Sequence, residues 1–159
     1  MDLAINYDNF NINFVYFYKP VPNSIIDQGM FNRIYYSTDL FTITGINIFC
    51  LLEDCTIQKY YNKYKIWFNI NKNIKIINTL EYIEKMIISK INIPSKIPTF
   101  KLSEHIRSGN LKTFNEGVLT NGICIKISGI WQSKSNYGLT FKFQIVQDKI
   151  NHQLKSISN

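Results

Sequence analysis

The chain has 159 residues, of which 45% are hydrophobic and 18% are charged, and its formal net charge is +7. This is enough apolar sequence to bury one core and too little for two domains of ordinary size. No apolar run reaches the 18 or more residues that a membrane-spanning helix needs, which argues against a membrane protein. We therefore expect one globular domain over residues 1–150 and a flexible tail over 151–159.

The composition is biased towards a few residue types. Ile, Asn, Lys, Phe and Tyr make up more than half of the chain, and Ala occurs once. These are residues of A/T-rich codons, so a lysine-rich run alone is weak evidence of function. Ile, Phe, Tyr and Thr favour strands, and the missing Ala removes the best helix former. The composition predicts a mainly β protein.

The positive charge lies in the second part of the chain. Residues 1–56 carry two basic and six acidic side chains, whereas residues 57–159 carry sixteen basic and five acidic ones. A basic face of this size suits a polyanion such as a nucleic acid. The alternative is a solvated lysine surface that reflects the biased genome.

The sequence offers no pattern for catalysis or metal binding. Cys50, Cys55 and Cys124 form an odd set without a C-x-x-C pair, and no hydrophobic leader follows Met1, which favours a reducing intracellular compartment. His105 and His152 are too distant in sequence to complete a zinc site. Nucleophile elbows, Walker loops and H-E-x-x-H helices are absent from the sequence. We expect neither an enzyme nor a bound cofactor.

Alternating apolar residues predict strands over 11–18, 31–37 and 41–52 and a long or interrupted strand over 57–70. Two prolines force a loop over 19–22, and Gly45 marks a bend or a bulge. In the last of these strands the alternation predicts that Tyr64 and Phe68 are buried. Lys65 and Trp67 then share the opposite face. By the same rule, one of the adjacent Tyr35 and Tyr36 is buried.

The periodicity changes in the middle of the chain. Apolar residues at helical spacing predict one helix over about 79–91, with Thr79 as its N-cap. Residues 93–120 have no clear pattern. Alternation predicts a hairpin of two strands, over 122–131 and 139–146, joined by a turn over 132–138. Lys126 and Lys142 lie on the exposed face of this predicted hairpin. Trp131 follows the buried face of Ile127 in this scheme.

Several strands, one helix and a terminal hairpin are the order expected of an OB-fold-like Greek-key barrel with one α-helix and extra β segments. Other barrels or sandwiches with one helix would give a similar pattern.

The terminal hairpin carries a family resemblance. Residues 126–143 (KISGIWQSKSNYGLTFKF) resemble a segment of the OB-fold single-stranded DNA-binding proteins of large DNA viruses and of yeast cytoplasmic linear plasmids. The specific parts are residues 127–131 (ISGIW) and 138–143 (GLTFKF), with weaker support from 33–38 (RIYYST). The resemblance implies a cytoplasmic replication accessory protein that coats single strands displaced by a polymerase.

Sequence-tolerant single-strand binders combine a positive groove for phosphates with aromatic side chains for bases. The candidates that match these two needs are Arg33, Tyr35, Lys59, Tyr60, Tyr61, Lys63, Lys65, Trp67, Lys126, Trp131, Lys134, Tyr137 and Lys142. For Trp131, the sequence favours a structural role in closing the barrel at least as much as stacking on bases. For Trp67, packing within the barrel is an equal alternative.

The predicted partner is therefore single-stranded DNA, together with replication proteins of the same genetic element. RNA is the first alternative, because basic and aromatic residues serve RNA equally well. A β-barrel adaptor for protein interactions is the second alternative. The oligomeric state stays open.

Overall fold

The structure is a computed structural model that describes residues 3–113 and 122–146. Its strands are β1 (Ile5–Asn6), β2 (Val15–Phe17), β3 (Val21–Asn23), β4 (Gly29–Ser37), β5 (Thr42–Thr44), β6 (Ile46–Leu51), β7 (Cys55–Tyr60), β8 (Lys63–Phe68), β9 (Ile97–Pro98), β10 (Asn110–Thr113), β11 (Gly122–Gln132) and β12 (Asn136–Ile145). Its helices are α1 (Ile74–Ile91) and α2 (Lys101–Arg107), with 3-10 turns at Tyr7–Asn9, Ile12–Phe14 and Asn71–Asn73.

The strands form one open, mixed sheet in the order β1-β6-β11-β12-β10-β8-β7. Strand β4 also pairs with β11 and carries β2, β3 and β5 beside it, while β9 pairs with β12. Pairing is parallel for β1–β6, β9–β12 and β10–β12 and antiparallel elsewhere. The prediction of a mainly β, barrel-like fold with one long helix is confirmed.

Strand β11 joins the two parts of the sheet because it changes partner along its length. Its first half pairs with β6, and residues 129–132 pair with β4. The register against β12 shifts between Ile127 and Gly129, which marks a β-bulge. A bulge adds one residue and bends the strand, so alternation is reversed beyond it. As a result, Ile127 and Ile130 are both buried. The prediction that Trp131 shares the face of Ile127 is therefore wrong.

The core lies between one face of the sheet and the two helices. Alternate residues of the strands, including Tyr64, Phe68 and Tyr36, are buried as the alternation predicts. They form one cluster with the apolar stripe of α1 and with Leu102 and Ile106 of α2. The opposite face of the sheet therefore points away from the helices. The predicted domain end at residue 150 and the predicted tail over 151–159 lie outside the described residues.

The long helix begins at Ile74, five residues before the predicted start. Ile76 and Ile77 are buried and extend the apolar stripe backwards. Thr79 is not an N-cap, because it lies inside the helix and its hydroxyl donates to the Lys75 carbonyl at 2.8 Å. Asn73 precedes the helix and fixes its start, since its side chain bonds both the N–H and the carbonyl of Glu53 at 2.8 Å.

The described part of residues 93–120, for which the sequence predicts no element, contains strand β9, helix α2 and strand β10. The fully buried carboxylate of Glu84, on α1, accepts hydrogen bonds from the backbone N–H groups of Leu102 and Ser103 at 2.9 Å. It also accepts from the Ser103 hydroxyl at 2.7 Å. These donors belong to the first turn of α2, which has no partner for them within the helix. Glu84 thus caps α2 and fastens it to α1.

Two N-terminal predictions need correction. The expected strand over 11–18 is a 3-10 turn followed by the short β2. The expected loop over 19–22 contains β3, which tolerates Pro22 because it pairs only with β4 among the described strands. Of the two forms expected over 57–70, a long or an interrupted strand, the structure has the interrupted one: the segment is the hairpin β7–β8, whose turn places Tyr61 at a φ of 55°. Gly45, at a φ of 79°, separates β5 from β6.

Gly129 allows β4 and β11 to approach closely at the bulge. A Cβ atom at this position would collide with the Asn32 carbonyl oxygen and with the ring of Phe31. We expect Gly129→Ala to lower the free energy of unfolding by about 2 kcal/mol, because backbone of a neighbouring strand must move. Chemical denaturation measures this effect. Unchanged stability of Gly129→Ala would show that β4 and β11 do not pair in this way. Ser128→Ala, one residue earlier on β11, serves as the control.

Candidate nucleic-acid interface

Four lysines lie side by side across four neighbouring strands. Lys126 pairs directly with Lys142 in the β11–β12 hairpin, and Lys112 pairs directly with Lys65 between β10 and β8. The parallel β10–β12 pairing joins Thr113 to Phe143, so the preceding residues Lys112 and Lys142 are also neighbours. We call Lys65, Lys112, Lys126 and Lys142 the lysine row. With strands about 4.8 Å apart, it spans about 14 Å.

The lysine row occupies the face of the sheet that points away from α1 and α2. The residues beside it in sequence, among them Tyr64, Leu111, Ile125 and Phe143, are buried against the helices. Lys112 and Lys142 are exposed, and Lys65 and Lys126 are half-buried. Like charges directly opposite each other destabilise a sheet. Four adjacent lysines place a high density of positive charge on this face, which is consistent with a surface for a polyanion.

The β7–β8 hairpin carries a second group of predicted site residues at one end of this face. Tyr60, Tyr61 and Lys63 are exposed around its turn. Lys59 is also exposed, but it pairs with the buried Tyr64 and its ammonium lies 6.0 Å from the centroid of the Tyr64 ring, so it lies on the opposite face and does not belong to this group. The rings of Tyr60 and Tyr61 pack edge to face at 4.8 Å, and these side chains are 65% and 82% exposed. Aromatic rings so open to solvent can stack on bases.

Lys65 links this hairpin to the lysine row. Its ammonium group lies 4.3 Å from the centroid of the Trp67 ring, and Trp67 is 43% exposed. The two residues share the outward face, as predicted from their spacing. A cation held against an exposed indole brings a phosphate-binding group and a base-stacking group together.

Arg33 and Tyr35 lie on the outward face of β4, farther along the sheet. Arg33 is exposed, and Tyr35 is half-buried while its neighbour Tyr36 is buried, as predicted. The Tyr35 ring stacks on Tyr16 of β2 at 5.3 Å with an interplanar angle of 19°. It also contacts the Tyr18 ring at 4.7 Å. We call Tyr16, Tyr18 and Tyr35 the tyrosine cluster.

The remaining three predicted residues belong to the β11–β12 hairpin. Lys134 is exposed in the turn, and Trp131 is half-buried beside Gly138, with which it pairs. Tyr137 is buried, with 4% of its surface exposed, so its prediction as a contact residue is wrong. The reason is that β12 begins at Asn136, inside the expected turn, and this turns Tyr137 inwards.

Lys112, Tyr16 and Tyr18 also lie on this surface, although the sequence does not predict them as site residues. Lys112 lies on β10, a strand of only four residues, which is too short for the alternation of apolar and polar residues to identify it as a strand. Tyr16 and Tyr18 fall in the strand predicted over 11–18, where their spacing of two places them on one face, and this spacing is the signal that connects them.

Arg107, the second arginine, is held within the fold. Its guanidinium binds the Glu81 carboxylate of α1 and donates to the Asn78 side chain at 3.1 Å. The hydrogen bond from Arg107 holds the pKa of Glu81 below its usual range. Arg107 therefore fastens α2 to α1, on the side away from the lysine row.

Other reactive groups in the described residues do not form a site. Burial raises the pKa of the Cys50 thiol far above its usual value, so this cysteine stays protonated. Within residues 3–113 and 122–146, His, Cys, Asp and Glu side chains form no group that could hold a metal ion. Neither described helix combines the length and the apolar content that crossing a membrane requires.

Comparison of the chain with protein-family models, with curated proteins and with solved structures finds no match. The resemblance of residues 126–143 to single-stranded DNA-binding proteins therefore stays a prediction.

Proposed function

We propose that this protein binds single-stranded DNA without sequence preference and without catalysis. The observation that carries the proposal is the lysine row, which sets four lysine residues side by side on the outward face of the sheet. Lysines bind the phosphates of a nucleic acid irrespective of its sequence. A backbone that crosses β11, β12, β10 and β8 would meet each lysine in turn.

Exposed aromatic residues at the end of the row supply the second component. Trp67, Tyr60 and Tyr61 lie within the β7–β8 hairpin, next to Lys65 and Lys63. Stacking on such rings is tolerant of sequence, because every base has a π-face, and is worth about 1–3 kcal/mol per base. The proposed site therefore neutralises the backbone and stacks bases within one surface.

The resemblance of the terminal hairpin adds a finer proposal. In proteins of that kind the ligand is the strand displaced during replication of a viral or linear-plasmid genome. We propose the same substrate for this chain, in the cytoplasm and alongside replication proteins of its genetic element.

A fluorescence titration tests the proposed ligand. Oligo-dT, the corresponding RNA and a DNA duplex of equal length are added to the protein at two salt concentrations, with tryptophan emission as the signal. We expect quenching, weaker binding at high salt and a preference for oligo-dT. A preference for the RNA would favour the RNA-binding alternative, and a lack of binding to all three at low salt would favour the adaptor.

Trp67→Ala should weaken binding to oligo-dT and to mixed-sequence oligonucleotides by the same factor, about tenfold, because the indole stacks on bases of any kind. The measurement is fluorescence anisotropy of a labelled oligonucleotide. Tyr82→Ala is the matched control, since Tyr82 is 63% exposed on α1, away from the lysine row. Equal affinities of the wild type and Trp67→Ala would remove Trp67 from the site.

A further inference from the structure

The tyrosine cluster lies on the same outward face as the lysine row, and the strand register connects the two. Arg33, two residues before Tyr35 on β4, pairs with Gly129 of β11, which pairs with Thr140 of β12. Thr140 is two residues before Lys142, so both point outwards. The outward surface thus continues from the lysine row through Arg33 to Tyr18, whose N–H donates to the Arg33 carbonyl at 2.8 Å.

The three aromatic rings of the tyrosine cluster contact one another on a surface that faces solvent, so they do not contribute to packing of the hydrophobic core. Tyr16 and Tyr18 are 44% and 48% exposed, whereas Tyr36, one residue along β4, supplies the buried ring. The surroundings of the cluster are positive. Lys90 at the end of α1 lies 5.3 Å from the Tyr16 ring, and its ammonium donates to the Ile12 carbonyl at 2.9 Å. Arg33 is exposed on the other side of Tyr35.

The lysine row and the tyrosine cluster recognise different parts of a nucleic acid. Phosphates are present in single strands and duplexes alike, so the lysines alone bind both. The faces of bases are free to stack on side chains only where the bases are unpaired. An aromatic surface bordered by cations and continuous with the phosphate-binding row is therefore suited to unpaired nucleobases.

We infer that the tyrosine cluster is a second binding subsite, which stacks unpaired bases of the strand held by the lysine row and adds to the protein's preference for single strands over duplex. This inference rests on the proposed function and deepens it. It extends the path of the strand beyond the lysine row, towards β4 and β2, and assigns Tyr16 and Tyr18 a role in binding.

The test is the double variant Tyr16→Ala, Tyr18→Ala, measured against oligo-dT and a duplex of equal length at low salt. We expect the affinity for oligo-dT to fall by about tenfold to hundredfold, and the affinity for duplex to change less than about twofold. The salt dependence should be unchanged, because no phosphate contact is removed. The double variant Tyr16→Phe, Tyr18→Phe should bind like the wild type, since phenyl rings also stack.

An oligonucleotide of abasic sites provides a second measurement. The wild type should bind it more weakly than oligo-dT, and the double alanine variant should lose little further affinity. Undiminished binding of oligo-dT by the alanine variant, or an equal loss for duplex, would overturn the inference while leaving the proposed function in place. Tyr82→Ala again controls for loss of an exposed tyrosine. Wild-type protein that binds no oligonucleotide would reject both proposals.

Discussion

Reversing two charges of the lysine row, with Lys112→Glu and Lys142→Glu together, should weaken binding to oligo-dT by about 100-fold at low salt, or about 2.7 kcal/mol. Two phosphate contacts are lost, and two carboxylates repel the backbone instead. The plot of log affinity against log salt should become shallower by about 1.4 units for the two lost contacts. Fluorescence anisotropy over a salt series measures both quantities.

The fold should tolerate this change. Two of the three adjacent pairs in the row, 126 with 142 and 65 with 112, become opposite-charge pairs, and positions 112 and 142 still form one like-charge pair. Because two repulsions are replaced by attractions, thermal stability should be unchanged or higher. The matched control is Lys75→Glu with Lys85→Glu, which has the same net charge but alters exposed positions of α1. If this control weakened binding as much as the row variant, the total charge and not the row would explain the affinity.

Glu84→Ala should lower the free energy of unfolding by about 3 kcal/mol. The substitution leaves the Leu102 and Ser103 N–H groups and the Ser103 hydroxyl without their acceptor, and it opens a space between α1 and α2. Chemical denaturation measures the loss. Because α2 contacts β10 and β12, the change should also loosen the strands that carry Lys112 and Lys142.

Glu84→Gln separates the shape of this side chain from its charge. The amide keeps one acceptor oxygen, so we expect a smaller loss, about 1–2 kcal/mol. Glu104→Ala is the control, because Glu104 is an exposed carboxylate of α2 that pairs with Lys101 on its own helix. A cost for Glu84→Ala no larger than that for Glu104→Ala would contradict the capping role.

The sequence predicted those parts of the fold that depend on local alternation. Tyr64, Phe68 and the inward residues of the terminal hairpin are buried as expected, and Lys126 and Lys142 share the outward face. In these strands one face is buried, so the period of two fixes which side chains point inwards.

The errors occur where a longer-range contact sets the local structure. The start of α1 is fixed by Asn73 bonding to Glu53, twenty residues away, and helix α2 depends on the Glu84 carboxylate from another element. The bulge before Gly129 reverses the alternation at Trp131, and the early start of β12 turns Tyr137 inwards. The helix and strand propensities of a short stretch of sequence do not report such contacts between distant residues.

The sequence predicted only part of the candidate site, because contacts between residues far apart in the chain also assemble this surface. Lys112 joins the lysine row through strand pairing with β8 and β12, whose residues lie far from it in the chain. The tyrosine cluster likewise depends on the register between β2 and β4. The composition of the chain predicts a basic and aromatic surface. The order of the strands in the sheet determines which lysines and which tyrosines lie next to one another.

Lysine footprinting by acetylation and mass spectrometry, with and without bound oligo-dT, tests the proposed interface most directly. We predict protection of Lys65, Lys112, Lys126 and Lys142 on binding. Lys72 and Lys101, exposed lysines that pair with Asp54 and Glu104, should react equally in both states. Saturating oligonucleotide that leaves the lysine row as reactive as before would contradict the assignment of this face as the nucleic-acid interface.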